Sequence, residues 1–496
     1  MDFDFITVAA CVGAGMLIWD CVEVGRNDAA NLVNAVLGAR VMQRRLAVII
    51  AALAVVTGAS FASPVMETAR KGIFDPTVLS IQAALAIYVS VYFVDTVLLY
   101  AFSGFGMPVS TTACLVFELV GASLFLAGFD NVHWPKVGSV TSGIIVSIAI
   151  SGVASFMVMR VFRAAIRDKS DDRATILLHG PWITGAIMTW LSWFIVFKGL
   201  KQVPAIQQIK EVTFELYGET IVLGCMWVAF TLFTVVVLLI FSRWYQHLFA
   251  TTAILGMICM AFAFGQNDLA NAASPGLASL ALWKGGGAPT DLADLSSKIP
   301  IPPWALFGCG VLMASGMFTV YAQRVTRAEI NTGSHFDQVT LYAPNWCKWL
   351  ARQLLWMSSR KRSLAPEPAL NTAGKKIHYD TLRASVITGV SASVIAFASG
   401  RGLPVSTTYV AFAAVIGSGL ADRVFSRGNA DAKVGRAIWV VTCWFIAPLI
   451  AIVMTGCVAR LVYHLSVAGL LLCIALNLTT RFLLRQQADR HEQEHH

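Results

Sequence analysis

The chain has 496 residues, 57% of them hydrophobic and only 13% charged, with a mean hydropathy of +0.68. A soluble fold of that size must cover a large surface with polar groups, and this chain has too few, so composition excludes a water-soluble globular protein and points to an integral membrane helix bundle. The formal net charge of +9 comes from Lys and Arg gathered between apolar runs, which reads as cytoplasmic-side anchoring and not as a nucleic-acid surface.

In chain order, the N-terminal MDFDFITVAAC carries acids where a cleavable signal carries a basic region, so the first apolar stretch is expected to stay in the protein. That run, about residues 5 to 39, is too long for one plain span. Its middle holds Asp20, Glu23, Arg26, Asn27 and Asp28, and a broken helix is predicted there. Ordinary spans are predicted near 46–66, 79–99, 138–160, 180–198 and 219–243. Between them, near 107–128, Pro108 and a run of hydroxyls open a half-helix or hairpin entering at depth. A second interrupted run follows near 247–283, then spans near 303–322 and 379–400, a second hydroxyl-led helix from Pro404 to about 420, and final spans near 436–458 and 463–482. The total is about 12 transmembrane segments.

Two short elements recur. NDxAN occupies Asn27 to Asn31 and Asn267 to Asn271, and PVSTT occupies Pro108 to Thr112 and Pro404 to Thr408. The order is the same in both halves. The NDxAN copies are 240 positions apart and the PVSTT copies 296, so the second half carries 56 more residues, supplied by the polar stretch 323–378. That stretch holds Arg324, Arg327, Arg352, Arg360, Lys361, Arg362, Lys375 and Lys376, and its Trp346, Trp349 and Trp356 predict short amphipathic helices at the membrane surface. Arg40, Arg44 and Arg45 follow the first interrupted run, whereas the equivalent place in the second half is nearly free of positive charge, so the two halves prefer opposite orientations.

The expected fold is therefore an all-α polytopic membrane protein, an inverted-repeat transporter with broken helices and re-entrant hairpins. Its expected divisions are a first repeat over 1–178, connecting helices over 179–243, the first part of the second repeat over 244–322, a basic cytoplasmic loop over 323–378, the rest of that repeat over 379–483 and a polar tail over 484–496.

The repeated elements carry the chemistry. Asp28 and Asp268 supply hard carboxylate oxygens suited to sodium or a proton. Asn27, Asn31, Asn267 and Asn271 supply neutral oxygens and amide donors, with interhelical hydrogen bonding as their bland alternative. Proline fits the first turn of a helix. Ser110, Thr111 and Thr112, and Ser406, Thr407 and Thr408, then set hydroxyls beside the free N–H groups of two helix starts, an arrangement that suits an oxyanion. Discrimination of phosphate from sulfate needs an acceptor for the proton of hydrogen phosphate, and an Asp carboxylate can serve. Arg26 either pairs with Glu23 or Asp20 or faces the anion path. Glu118 is either a pathway carboxylate or a partner for a positive residue, and Arg401 is placed at a membrane entrance or beside the site. Ten cysteines show no CxxC spacing, and seven in apolar runs (Cys11, Cys114, Cys225, Cys259, Cys309, Cys443 and Cys473) read as small buried hydrophobes. There is no nucleotide loop or catalytic triad, so an enzyme is not expected.

With GRNDAANLVNA at Gly25 to Ala35, GQNDLANAASP at Gly265 to Pro275 and both PVSTT elements, the chain resembles the inorganic phosphate transporter family, the Pit-type permeases and their sodium-coupled relatives. The resemblance implies import of phosphate by symport with sodium or protons, through an elevator-like or rocking inverted repeat. It implies phosphate at Ser110, Thr111, Thr112, Ser406, Thr407, Thr408, Asn27 and Asn267. The coupling ion, sodium included, would lie at Asp28, Asn31, Asp268 and Asn271. Compact loops and the absence of an obvious targeting segment point to a cell or inner membrane location in contact with lipid, and the resemblance also implies a homodimer. Four residues depart from the family pattern: Arg26 and Gln266 replace small residues, and Ala113 and Tyr409 stand where a histidine is common. Sulfate transport and a passive anion channel are the alternatives.

Overall fold

Hydroxyl and carboxylate caps set where the helices begin. Ser80 Oγ accepts from the Ala83 N–H at 3.2 Å, Asp172 Oδ2 from Thr175 at 3.0 Å and Asp380 Oδ1 from Arg383 at 2.9 Å, each holding a donor that the first helical turn leaves unpaired. A computed structural model shows α-helices throughout, several of them opened by such caps. The structure describes residues 4–62, 73–74, 79–167, 172–200, 203–284, 303–335, 341–357, 377–401, 403, 405–426 and 429–495.

In chain order the helices that matter here are α1 (Phe5–Gly38), α2 (Arg44–Ala59), α3 (Ile81–Gly104), α4 (Thr111–Ala127), α5 (Trp134–Ile166), α6 (Arg173–Ser192), α7 (Glu219–Ile240), α8 (Leu248–Lys284), α9 (Pro303–Gly316), α10 (Val320–Thr332), α11 (Asn345–Met357), α12 (Thr381–Gly400), α13 (Thr407–Ala421) and α14 (Ala430–His495). Among the described residues, eight helices are long and apolar enough to cross a membrane, or nine if α9 and α10, bent by 69°, make one span. The expected twelve is corrected for a physical reason. The hydroxyl-led helices α4 and α13 have 17 and 15 residues, so they reach only about 25 Å and 22 Å, short of a hydrocarbon core of about 30 Å. At 16 residues, α2 is short as well. The two final spans expected near 436–458 and 463–482 are two helices that meet at Ser466, where the backbone leaves helical geometry (φ 49°, ψ −127°), and the count of eight takes them together.

The predicted breaks at the NDxAN elements are also overturned. α1 runs unbroken for 34 residues and α8 for 37, the latter through Pro275. Asn and Asp side chains here find partners on other elements, so the helix has no need to open its own backbone to satisfy them. The breaks fall elsewhere, between Gly316 and Val320 and at Ser466.

α1 and α8 pack side by side at the centre, with α3, α12 and the two short helices around them. Repeat symmetry is visible in the packing. Gly25 on α1 lies against the Met313 carbonyl of α9, and its equivalent Gly265 on α8 lies against the Val55 carbonyl of α2; a Cβ at either position would collide with backbone. The periphery is apolar and faces outward, with Leu239 77% and Phe233 65% exposed on α7. Lipid-facing helix surfaces also account for Cys11 and Cys225, which are exposed and not buried as expected. Part of the basic loop is the surface helix α11, which displays Trp346, Trp349 and Trp356. Arg360, Lys361, Arg362, Lys375 and Lys376 lie outside the described residues, as does most of the stretch following α8.

Candidate functional site

Both short helices start inside the protein. Chain leaving α3 turns at Gly106 (φ 65°) and runs extended through Val109, which is buried, to Ser110, the cap of α4. Ser110 Oγ accepts from the Ala113 N–H at 3.0 Å. In the other half Ser406 Oγ accepts from the Tyr409 N–H at 3.1 Å. These serines have nearly the same backbone, φ −84° and ψ 116° against φ −82° and ψ 106°. All six hydroxyl residues of the two elements are 3% exposed or less.

The NDxAN elements bind these starts in a reciprocal pattern. Asn27 Nδ2 donates to the Val109 carbonyl at 2.7 Å, and Asn267 Nδ2 to the Val405 carbonyl at 2.7 Å, so each asparagine holds the extended strand of its own half. The carboxylates cross over. Asp28 Oδ1 accepts from Thr408 Oγ1 of the second half at 2.6 Å. Asp268 Oδ1 accepts from Thr111 Oγ1 at 3.1 Å and lies 3.4 Å from Thr112 Oγ1 of the first. The second asparagines cross as well, Asn31 Nδ2 to Thr408 Oγ1 at 3.1 Å and Asn271 Nδ2 to Thr112 Oγ1 at 2.7 Å. Thr112 donates on to Val405 O at 2.9 Å, and Thr408 Oγ1 lies 3.3 Å from Val109 O. Exchanging the halves maps nearly every bond onto another, so the polar centre has a pseudo-twofold built from residues up to 380 apart in the chain.

Capacity is left over in the same symmetric way. Asp28 Oδ2, Asn31 Oδ1, Asp268 Oδ2 and Asn271 Oδ1 are buried and have no hydrogen-bond partner. Hard oxygens without donors are suited to a small cation. The first N–H groups of α4 and α13 have no intrahelical acceptor, which is what an oxyanion needs. The sequence-predicted residues Asn27, Asp28, Asn31, Ser110, Thr111, Thr112, Asn267, Asp268, Asn271, Ser406, Thr407 and Thr408 are all brought to this centre. Pro404 lies outside the described residues.

Arg26 resolves to the paired reading. Its Nη1 donates to Glu23 at 2.8 and 3.0 Å, and its guanidinium stacks within 5.4 Å of the Tyr100 ring and 5.7 Å of Tyr321. It also lines an outer cavity of about 300 Å³ with Arg324 and Arg485. Arg401 is exposed over the Phe397 ring at 4.3 Å, whereas the hydroxyl triplets are buried.

Sequence reading missed a polar layer beyond the centre, where Asn34 Nδ2 donates to Glu329 Oε2 at 2.7 Å and Tyr379 donates to the Asn34 carbonyl at 2.7 Å. A signal was present: Asn34 repeats the spacing of Asn27 two helical turns on. Asp95, a lone acid in the apolar run of α3, was missed too.

With this geometry in place, the comparisons are direct. A sequence model described as the phosphate transporter family matches residues 24–329 and 368–455. A protein of Thermococcus kodakarensis, provisionally named a phosphate permease, is 26% identical over 91% of this chain and 96% of its own length. A Pyrococcus abyssi protein of the same provisional name is 25% identical over 93% of this chain and 99% of its own length. A solved structure described as the sodium-dependent phosphate transporter superposes with a TM-score of 0.65, at 22% identity, over 92% of this chain and 98% of that one, which establishes a shared fold.

Proposed function

The chain belongs to the phosphate transporter family, and from that membership we propose that it carries inorganic phosphate across the cell membrane by symport with a cation, with the anion held between the starts of α4 and α13. The observation that carries the reading is the reciprocal hydrogen bonding of Asp28 with Thr408 and of Asp268 with Thr111 and Thr112.

Asp28 is an electrostatic neighbour of Asp268. Two carboxylates this close repel an incoming anion, so phosphate binding needs their charge neutralised first. A cation at Asp28 Oδ2 and Asn31 Oδ1, and another at Asp268 Oδ2 and Asn271 Oδ1, does this with the unpartnered oxygens. The threonine hydroxyls, released from the carboxylates, then turn to the anion beside the Ser110 and Ser406 caps. Anion and cation thus bind in obligatory order, which is the physical basis of coupling. A carboxylate at the same centre can accept the proton of hydrogen phosphate, and sulfate has none to give. In this reading the repeats 1–178 and 244–483, the latter interrupted by the basic stretch 323–378, face the membrane in opposite senses and move relative to each other.

Uptake by proteoliposomes containing the full chain tests this. Phosphate should accumulate above its equilibrium level under an imposed sodium or proton gradient, in preference to sulfate. Uptake that only equilibrates, whatever the cation gradient, would make the protein a passive anion channel, and preference for sulfate would move the substrate within the oxyanion class.

A further inference from the structure

A second set of buried acids lies outside the paired motifs. Asp20 and Glu23 on α1, Asp95 on α3 and Glu118 on α4 are 1%, 0%, 4% and 0% exposed. Repeat equivalents of these four, at the motif offsets, are Met260, Ala263, Ser391 and Ala414, so the cluster belongs to the first half alone. Asp20 and Glu23 precede the family-matched segment, and Arg481 follows it.

The nearby cations are already committed. Arg481 Nη1 donates to Glu23 Oε1 at 2.7 Å, its Nη2 to the Thr96 carbonyl at 2.6 Å and its Nε to Asn477 at 3.0 Å, while Arg26 donates to Glu23 as well. Trp19 Nε1 adds a third donor side chain to Glu23 at 3.1 Å. Glu23 is therefore a satisfied anion.

The other three acids are not. Asp20 Oδ1, Asp95 Oδ1 and both oxygens of Glu118 are buried without a hydrogen-bond partner. The Asp20 and Asp95 carboxyls meet in a side-chain hydrogen bond. An ionised carboxylate only accepts, so two in contact must share a proton. Glu118, enclosed with no donor on either oxygen, cannot hold a bare charge there without a heavy desolvation cost.

The remaining groups facing the cluster are Tyr92 on α3, Cys21 on α1 and Cys114 on α4, with Cys309 of α9 behind Cys21 and Tyr92. Cys114 is a common neighbour of Asp20, Asp95, Glu118 and Asp28, so the cluster adjoins the candidate transport centre. Asp20 precedes Asp28 by about two helical turns, roughly 12 Å.

We propose that Asp20, Asp95 and Glu118 form a proton-binding site, distinct from the paired NDxAN and PVSTT centre and present in the first half only, which gains or loses protons to water as the charge at Asp28 changes through the cycle. Filling Asp28 with a cation removes a neighbouring negative charge and eases proton release from the cluster; emptying it draws the proton back. Cation binding at the symmetric centre and proton binding at the asymmetric one therefore oppose each other. The coupling half of this statement rests on the transport reading, and the proton site itself does not.

Two measurements on the purified full chain separate these. Infrared difference spectra across a pH step read the carbonyl band of protonated carboxyls directly, without phosphate. The wild-type protein should show a titrating band that Asp95→Asn and Glu118→Gln each diminish. In sodium-free proteoliposomes, phosphate uptake should change with pH by up to about tenfold per unit, the limit for one proton, and both variants should flatten that profile while keeping phosphate affinity within about twofold. Asp95→Asn keeps hydrogen-bonding capacity toward Asp20; if it fails to fold, Glu118→Gln carries the test. Unchanged bands in both variants overturn the site, and pH profiles superposing on wild type overturn its coupling to transport. A titrating band lost in the variants in a protein that neither binds nor moves phosphate would sustain the proton site and defeat the transport reading instead.

Discussion

The Thr408 hydroxyl donates to Asp28 Oδ1 at 2.6 Å across 380 residues of chain, fastening the start of the last hydroxyl-led helix to the first helix of the protein. On the other side its repeat equivalent, Thr112 Oγ1, lies 3.4 Å from Asp268 Oδ1, and the neighbouring Thr111 donates to that oxygen at 3.1 Å. Each half thus completes the polar centre of the other, and neither half can move alone without breaking bonds to a carboxylate.

The first prediction concerns those carboxylates. Asp28→Asn and Asp268→Asn keep shape and hydrogen-bonding capacity but remove the charge that a cation must neutralise. Each should abolish cation-driven accumulation of phosphate, measured against protein abundance in the same vesicles. Near-normal accumulation in both single variants would remove these residues from the coupling mechanism.

The hydroxyl residues are the second. Hydrogen bonds to a charged ligand contribute about 1.5–3 kcal/mol, so Ser110→Ala and Ser406→Ala should each weaken phosphate binding by roughly ten- to a hundredfold, and the double variant by more. Lost caps should also cost about 1 kcal/mol of stability each. Calorimetric titration beside thermal unfolding distinguishes the two effects. Unchanged affinity in a folded double variant would exclude the two serines. Ser123→Ala, outside the centre, serves as the control.

Third, the glycine contacts should behave as equivalent pairs. Gly25→Ala and Gly265→Ala each push a methyl into a facing carbonyl, of Met313 and Val55 respectively. Overpacking of this kind costs about 1–3 kcal/mol, so both variants should melt earlier, by similar amounts. A loss at one position only would mean that the repeat symmetry does not extend to energetics.

The fourth lies at the end of α12, where Arg163 Nη2 meets Asp380 Oδ2 at 2.6 Å and Arg163 Nε meets Asp422 Oδ1 at 2.8 Å. Burial pushes the Asp380 carboxyl up, but the Arg163 charge and the Arg383 N–H outweigh it and hold it below its ordinary value. A depressed carboxyl contributes stability that is present above its unfolded pKa of about 3.9 and is lost as pH falls through the lower folded value. Asp380→Asn preserves a good helix cap, so it isolates the ion pair. The variant should be less stable by about 1 kcal/mol at neutral pH, a modest figure because the Asp380 side chain is 28% exposed. The difference from wild type should begin to shrink below about pH 4 and vanish only below the depressed folded value. A constant difference across pH would assign the loss to packing.

Much of this protein was legible in its residues taken in order. Membrane residence follows from composition, helix starts at Ser110 and Ser406 follow from local capping chemistry, and the repeated NDxAN and PVSTT elements mark the polar centre because polar groups are costly in apolar surroundings and two matched copies are unlike chance. These are properties of short segments, and short segments are what a sequence displays. Tertiary structure alone decided the rest. That α1 and α8 stay unbroken depends on Val109, Val405, Thr112 and Thr408 arriving from elsewhere to satisfy their side chains. That the Asp–Thr bonds cross between halves depends on which helix faces which. The pairing of Asp20 with Asp95, and of Glu23 with Arg481, joins residues from α1, α3 and the far end of α14. A buried charge states that it needs a partner but not where in the chain the partner lies, because helix packing can bring any two distant segments together at nearly the same local cost.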